Sequence, residues 1–249
     1  MTRDAAMPPT KENFAAVVAR LAAAQKQRAP GSPAYSIYVN RPIGRRLAAA
    51  AYLAGLTPNA VTAISAAFTF SAIAIIALAP PAPLTGVGIG LLLIVGYALD
   101  SADGQLARLR GGGSPAGEWL DHVVDAAKTS SLHLAVLVGW FRFLELPSQA
   151  LLLVPLGYAI VAAVLFFAMI LNDFLRPRGH GSSPARPQGG GIRSLLVLPT
   201  DYGVLCIAFL LFGAPGVFVP VYSLLFIANA AYALLALPKW FREMSRATP

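Results

Sequence analysis

Six long apolar stretches, at approximately 59–79, 86–109, 117–144, 149–174, 201–213 and 217–237, leave this 249-residue chain few ways to fold. A bilayer core ~30 Å thick is crossed by a helix of roughly 20 apolar residues. Within it, every backbone N–H and C=O must find a partner inside its own segment. Only 12% of the residues are charged, 57% are hydrophobic and the mean hydropathy is +0.65, which places the chain in the membrane class. The expectation is an all-α, polytopic membrane protein with six transmembrane helices. The fifth stretch, interrupted by Gly and Pro, has the least secure limits.

The formal net charge of +8 raises the possibility of a nucleic-acid binder. The basic residues, however, lie between apolar runs, where they set topology, and no RNA- or DNA-reading motif is present. With the amino terminus inside and six spans, every one of the nineteen Lys and Arg residues except Lys128 and Arg142 falls in or beside an inner segment. Both chain ends are therefore expected in the cytoplasm. The first thirty residues contain no apolar core of a signal peptide. Phe14, Val17, Val18 and Leu21 follow i, i+3, i+4, i+7 spacing, and read either as a juxtamembrane amphipathic helix or as a frayed arm. Next, "AYSIYVNRPIGRRLAAAAYLAGL" alternates Arg41, Arg45 and Arg46 with apolar residues, as in an interfacial segment that snorkels its guanidinium groups toward headgroups. The single cysteine, Cys206, excludes an intramolecular disulfide and any Cys-based metal site.

Against this background the segment "LDSADGQLARLRGGGSPAGEWLDHVVD" stands out, because it sets acids among apolar residues. In a helix Asp100 and Asp103 are i, i+3, and Asp121 and Asp125 are i, i+4, so each pair shares a face. "GGGSPAG" turns the chain between them, which brings the two pairs to overlapping depth on antiparallel helices. If those helices face each other, four carboxylates meet in one cavity near the cytoplasmic surface. Left bare they would repel. Oxygen-only donors of this type select hard divalent ions, and two such ions bridged by carboxylates suit displacement at phosphorus. An unpaired Asp100 at least two turns inside a span would cost ~2.5 kcal/mol or more. Arg108 is a salt-bridge candidate on the same face, but it cannot neutralise four acids.

Asp100, Asp103, Gly104, Ala107, Arg108, Gly117, Asp121 and Asp125 reproduce the signature DxxDGxxAR, eight residues, GxxxDxxxD, and the chain thereby resembles the CDP-alcohol phosphatidyltransferase family. "TPNAVT" at the start of the first span is similar to that family's P-[ND]-x-[IV]-[TS] element. The resemblance implies a membrane domain over 33–249, preceded by a cytoplasmic arm over 1–32. It implies two divalent ions, Mg²⁺ or Mn²⁺, held by Asp100, Asp103, Asp121 and Asp125, with Asp125 also taking the proton of the acceptor hydroxyl. Gly104 and Ala107 would let the cytidine nucleotide approach the helix, Arg108 and Ser114 would meet the diphosphate, and Asn59, Thr62 and Gly117 would border the nucleotide. Ser114 and Thr62 also read as ordinary turn and helix residues.

The implied reaction is phosphoryl transfer from a CDP-linked donor to a hydroxyl, with release of CMP. The donor is CDP-diacylglycerol or a CDP-alcohol, and the acceptor a small alcohol, an alcohol phosphate or diacylglycerol. His122, in "GEWLDH", is similar to the choline and ethanolamine phosphotransferase form, or simply faces a neighbouring helix. Lys128 reads as a ligand for an acceptor phosphate or as a partner of Glu118 or Asp173, and Arg176 and Arg193 as further phosphate candidates or as positive-inside residues. The resemblance further implies a homodimer in a bacterial inner membrane. The competing reading is a divalent-cation transporter. Its acids would be expected near the midplane on broken helices from both halves of the chain.

Overall fold

The structure, a computed structural model, describes residues 12–25, 33–175 and 198–246, and among these there is no strand. A short helix α1 (Phe14–Ala23) precedes α2 (Arg41–Leu53), which continues from a single wide turn over Ser36–Asn40. The long elements follow as α3 (Pro58–Leu78), α4 (Pro83–Leu109), α5 (Pro115–Phe143) and α6 (Leu153–Leu175). The chain closes with α7 (Tyr202–Ala208), extended by a tight turn over Phe209–Leu211, and α8 (Pro215–Arg246).

The helix starts are written locally. Thr57 caps α3 by accepting from Ala60 N at 3.2 Å, with Pro58 in the first turn. Ser114 caps α5 in the same way, accepting from Gly117 N at 3.1 Å ahead of Pro115. Between them, α4 ends because Gly111 and Gly112 take φ of +95° and +119°, conformations that a side chain disfavours. The amide of Gly112 then satisfies the carbonyl of Ala107 at 3.0 Å.

Among the described residues, four helices are long and apolar enough to cross a membrane: Pro58–Leu78, Pro83–Leu109, Gln149–Leu175 and Pro215–Arg246. Two of the six expected spans do not meet that criterion alone, for separate reasons. Helix α5 has the length, 29 residues, but its first half carries Glu118, Asp121, Asp125 and Lys128. The fifth apolar stretch forms only a short helix, Tyr202–Leu211. Exposed Leu84, Phe141, Phe167, Ile227 and Leu234 cover the outside of the long helices, as expected for an apolar surround.

Helix α5 packs on α3 without a gap: a Cβ on Gly139 would lie 2.4 Å from the Ile76 carbonyl oxygen. Inside the bundle, Trp140, Phe209, Phe218 and Tyr222 are fully buried against one another. At the other end, Val17 and Leu21 of α1 are buried among Ala48, Ala49, Val61, Ala102 and Leu106. The apolar stripe read from α1 thus covers protein at these two positions, while Phe14 remains exposed.

Candidate active site

Helix α4 brings Asp100 and Asp103 to the end of the bundle where Gly111 and Gly112 turn the chain, and α5 carries Asp121 and Asp125 back. One carboxylate oxygen from each of Asp100, Asp103 and Asp121 lies within 4.8 Å of the others. Asp125 is drawn aside. Its Oδ1 pairs with Lys128 Nζ at 3.2 Å, and the same ammonium reaches Asp100 Oδ1 at 2.6 Å and Ser65 Oγ at 3.3 Å. The expected meeting of four carboxylates is therefore a cluster of three, joined to the fourth through a buried lysine. Lys128 sits three residues from Asp125 on one helical face, and a buried ammonium needs acid partners nearby. Its ion pairs are with these two acids rather than with the Glu118 or Asp173 considered from the sequence.

From α3, Thr62 Oγ1 donates to Asp103 Oδ2 at 2.6 Å and so orients that carboxylate. Asn59, one turn earlier, lies against the start of α5, where a Cβ on Gly117 would sit 3.0 Å from Asn59 Oδ1. Gly104 differs. A Cβ there would meet nothing closer than Arg108 Nη1 at 3.5 Å, so the packing of the chain itself leaves room for alanine. Since Gly inside a helix costs about 1 kcal/mol relative to Ala, its use at 104 points to something outside the chain approaching the backbone.

Asp100, Asp103, Asp121, Gly104 and Arg108 line one cavity of about 230 Å³. Gln25, Arg41, Ser101 and Gln105 complete its wall, and none of these four was marked from the sequence as a site residue. Ser114 and Ala107 serve the ends of their helices, the first as a cap and the second as acceptor for Arg110 and Gly112 amides. His122 lies 4.0 Å from Glu118 on the outer side of α5. His133 is a core residue, stacked on Tyr158 at 3.9 Å between ring centres and sharing a 2.6 Å hydrogen bond with Tyr222. Arg176 and Arg193 fall outside the described residues.

The donor set answers whether a divalent ion fits. Three carboxylates converge with Thr62 fixing one of them, and the lysine beside them offsets only part of their charge. Hard oxygen donors at this spacing, with excess negative charge, match Mg²⁺ or Mn²⁺.

A sequence profile of the CDP-alcohol phosphatidyltransferase family matches residues 55–237. The chain belongs to this family. It is accordingly a transferase and, with its four apolar helices, a multi-pass membrane protein. The family assignment covers the whole aspartate hairpin, while α1 and α2 lie ahead of it. No curated protein sequence matches. Among solved structures, the fold is similar to Mycobacterium tuberculosis phosphatidylinositol phosphate synthase (PgsA1) with CDP-DAG bound, at TM-score 0.52 and 24% identity, over 82% of this chain and 94% of that one. The same enzyme in complex with manganese and citrate gives TM-score 0.52 and 24% identity, over 82% and 89%. Its apo form gives 0.51 and 23%, over 77% and 92%. At these identities the likeness is one of fold.

Proposed function

We propose that this family member makes a phospholipid by transferring a phosphatidyl or phospho-alcohol group from a CDP-linked donor to a hydroxyl, releasing CMP, as a transferase of substituted phosphate groups. The observation that carries the proposal is the cavity itself: three carboxylates whose oxygens lie within 4.8 Å share it with Arg108 and with a glycine that the fold does not require. The neighbour solved with CDP-DAG supports CDP-diacylglycerol as the donor, and the one solved with manganese supports Mg²⁺ or Mn²⁺.

Asp100, Asp103 and Asp121 would hold divalent metal, with Asp125 completing the set. Bound there, such ions supply charge neutralisation for the diphosphate and for the departing CMP. The remaining roles belong to the chain. Arg108 offers a planar fork to a phosphate oxygen pair. Asn59, Thr62 and Gly117 border the nucleotide, Gly104 and Ala107 admit it to the face of α4, and Ser114 stands at the turn. The acceptor oxygen attacks the phosphorus of the transferred group, the P–O bond to CMP breaks, and Asp125 takes the hydroxyl proton. Lys128 holds Asp125 through Oδ1, which leaves Oδ2 for that proton. Lys128 and His122 stay candidates for contact with the acceptor, whose identity separates the small-alcohol, alcohol-phosphate and diacylglycerol reactions.

The six-span arrangement, with α5 and the short fifth helix completing the four apolar spans, belongs to the same proposal. So do an inner-membrane location with both ends and the cavity cytoplasmic, α1 lying beside the membrane surface, the division at residue 32, and a homodimer. A transport reading is not favoured, since the acids cluster in one hairpin of one half of the chain.

The test is CMP release by purified protein in lipid with Mg²⁺ or Mn²⁺, screened over CDP-diacylglycerol and CDP-alcohols against alcohols, alcohol phosphates and diacylglycerol. Release with one pair, abolished by Asp125→Asn in a folded protein, is the expected result. Metal flux into proteoliposomes without CMP release from any donor would overturn it.

A further inference from the structure

Arg41 opens α2, ahead of the stretch that the family profile matches, and the reaction as described makes no use of it. Its sequence context reads as lipid-facing. The structure instead places Arg41 in the wall of the cavity that holds Asp100, Asp103, Asp121 and Arg108. Local contacts keep α2 seated there. The Arg41 carbonyl accepts from Gln105 Nε2 at 3.2 Å, and that amide nitrogen also reaches Ser101 Oγ at 3.2 Å. One turn on, Gly44 is so close to α4 that a Cβ would lie 2.8 Å from Ser101 Oγ.

The charges in this wall are incomplete. Among the described residues neither Arg41 nor Arg108 forms an ion pair with a carboxylate, and the two line one cavity closely enough for their like charges to act on each other, as Asp103 also acts on Arg108. Two guanidinium groups are held near each other most favourably by an anion between them, and a phosphate accepts both forks. A second observation lies next to them. Gln105 is only 4% exposed, and with its nitrogen committed to Arg41 and Ser101 its Oε1 is buried without a partner. A buried acceptor of this kind is satisfied by a donor entering the cavity.

We propose that Arg41 is a further substrate-binding residue, which with Arg108 clasps a substrate phosphate, so that helix α2 completes the active site from outside the family's matched region. This rests on the reading that a CDP-linked substrate enters the cavity. The phosphate belongs either to the donor's diphosphate or to a phosphorylated acceptor, and the experiment separates the two.

The full chain in lipid nanodiscs with Mn²⁺ is titrated with CDP and with cytidine by calorimetry, as wild type, Arg41→Gln and Arg41→Lys. The expected result is about tenfold weaker CDP binding by Arg41→Gln, the cost of one charge-assisted hydrogen bond, with cytidine binding unchanged and Arg41→Lys intermediate. Unchanged CDP binding with an about tenfold higher KM for a phosphorylated acceptor, but not for an unphosphorylated one, would assign the clasp to the acceptor phosphate. CDP affinity and both KM values within twofold of wild type would overturn the proposal, as would an equal loss of CDP and cytidine binding, which marks a general structural role. Absence of CDP binding and CMP release in the wild type would instead sink the functional reading on which the proposal stands.

Discussion

Gly104 separates what the chain needs for folding from what it needs for a ligand. Alanine there meets only Arg108 Nη1 at 3.5 Å and gains helix propensity, so Gly104→Ala is expected to raise stability by up to about 1 kcal/mol while CMP release falls at least tenfold. A thermal melt read beside the activity assay checks both signs. Thr62 acts through Asp103. Removing its hydroxyl in Thr62→Val leaves that carboxylate without its 2.6 Å donor, and Mn²⁺ affinity is expected to weaken about tenfold or more in a calorimetric titration. Lys128→Met strips the counter-cation from Asp100 and Asp125 together. The metal-free variant should melt several degrees below wild type, and added Mn²⁺ should raise its melting point further than it raises that of wild type, because the ion then supplies the missing positive charge.

Among the elements, the α3–α5 contact decides whether the hairpin reaches Thr62 and Asn59 at all. A Cβ at Gly139 would press within 2.4 Å of a backbone carbonyl, which cannot rotate away. Gly139→Ala is therefore expected to destabilise the protein by roughly 1–3 kcal/mol, seen as a lowered melting midpoint in detergent, although it lies far along α5 from the aspartates. Helix limits, by contrast, were readable from local signals. The expected starts at 59, 86 and 117 fall within three residues of Pro58, Pro83 and Pro115, because proline and a capping side chain act on their own turn. The fifth stretch was the least legible: Pro199 ahead of it and Gly213 and Pro215 behind it confine the helix to Tyr202–Leu211, and a short helix carries too little periodicity to define itself.

For the whole molecule, the six-span topology we propose would put the hairpin from Asp100 to Asp125 on the same side of the membrane as both chain ends. Because Cys206 is the sole cysteine and is buried, single cysteines introduced near Gly112 and Ser245 should both react with an impermeant thiol reagent from the cytoplasmic side only, against an unreactive background. Labelling of the two from opposite sides would exclude the six-span topology.

By itself the sequence determined the membrane class, the starts of α3, α4 and α5, and, through its eight-position signature, the family that the profile match bears out, since hydropathy, capping and i, i+4 spacing are properties of one segment at a time. Tertiary structure decided the partnerships. It turned Lys128 toward Asp100 and Asp125, left Asp125 outside the three-carboxylate cluster, put His122 beside Glu118, and drew Arg41 from an expected lipid-facing position into the cavity wall. Spacing along a helix says which side chains share a face. The rotation of one helix against another, and the reach of long Lys and Arg side chains between them, settles which opposing charges they meet.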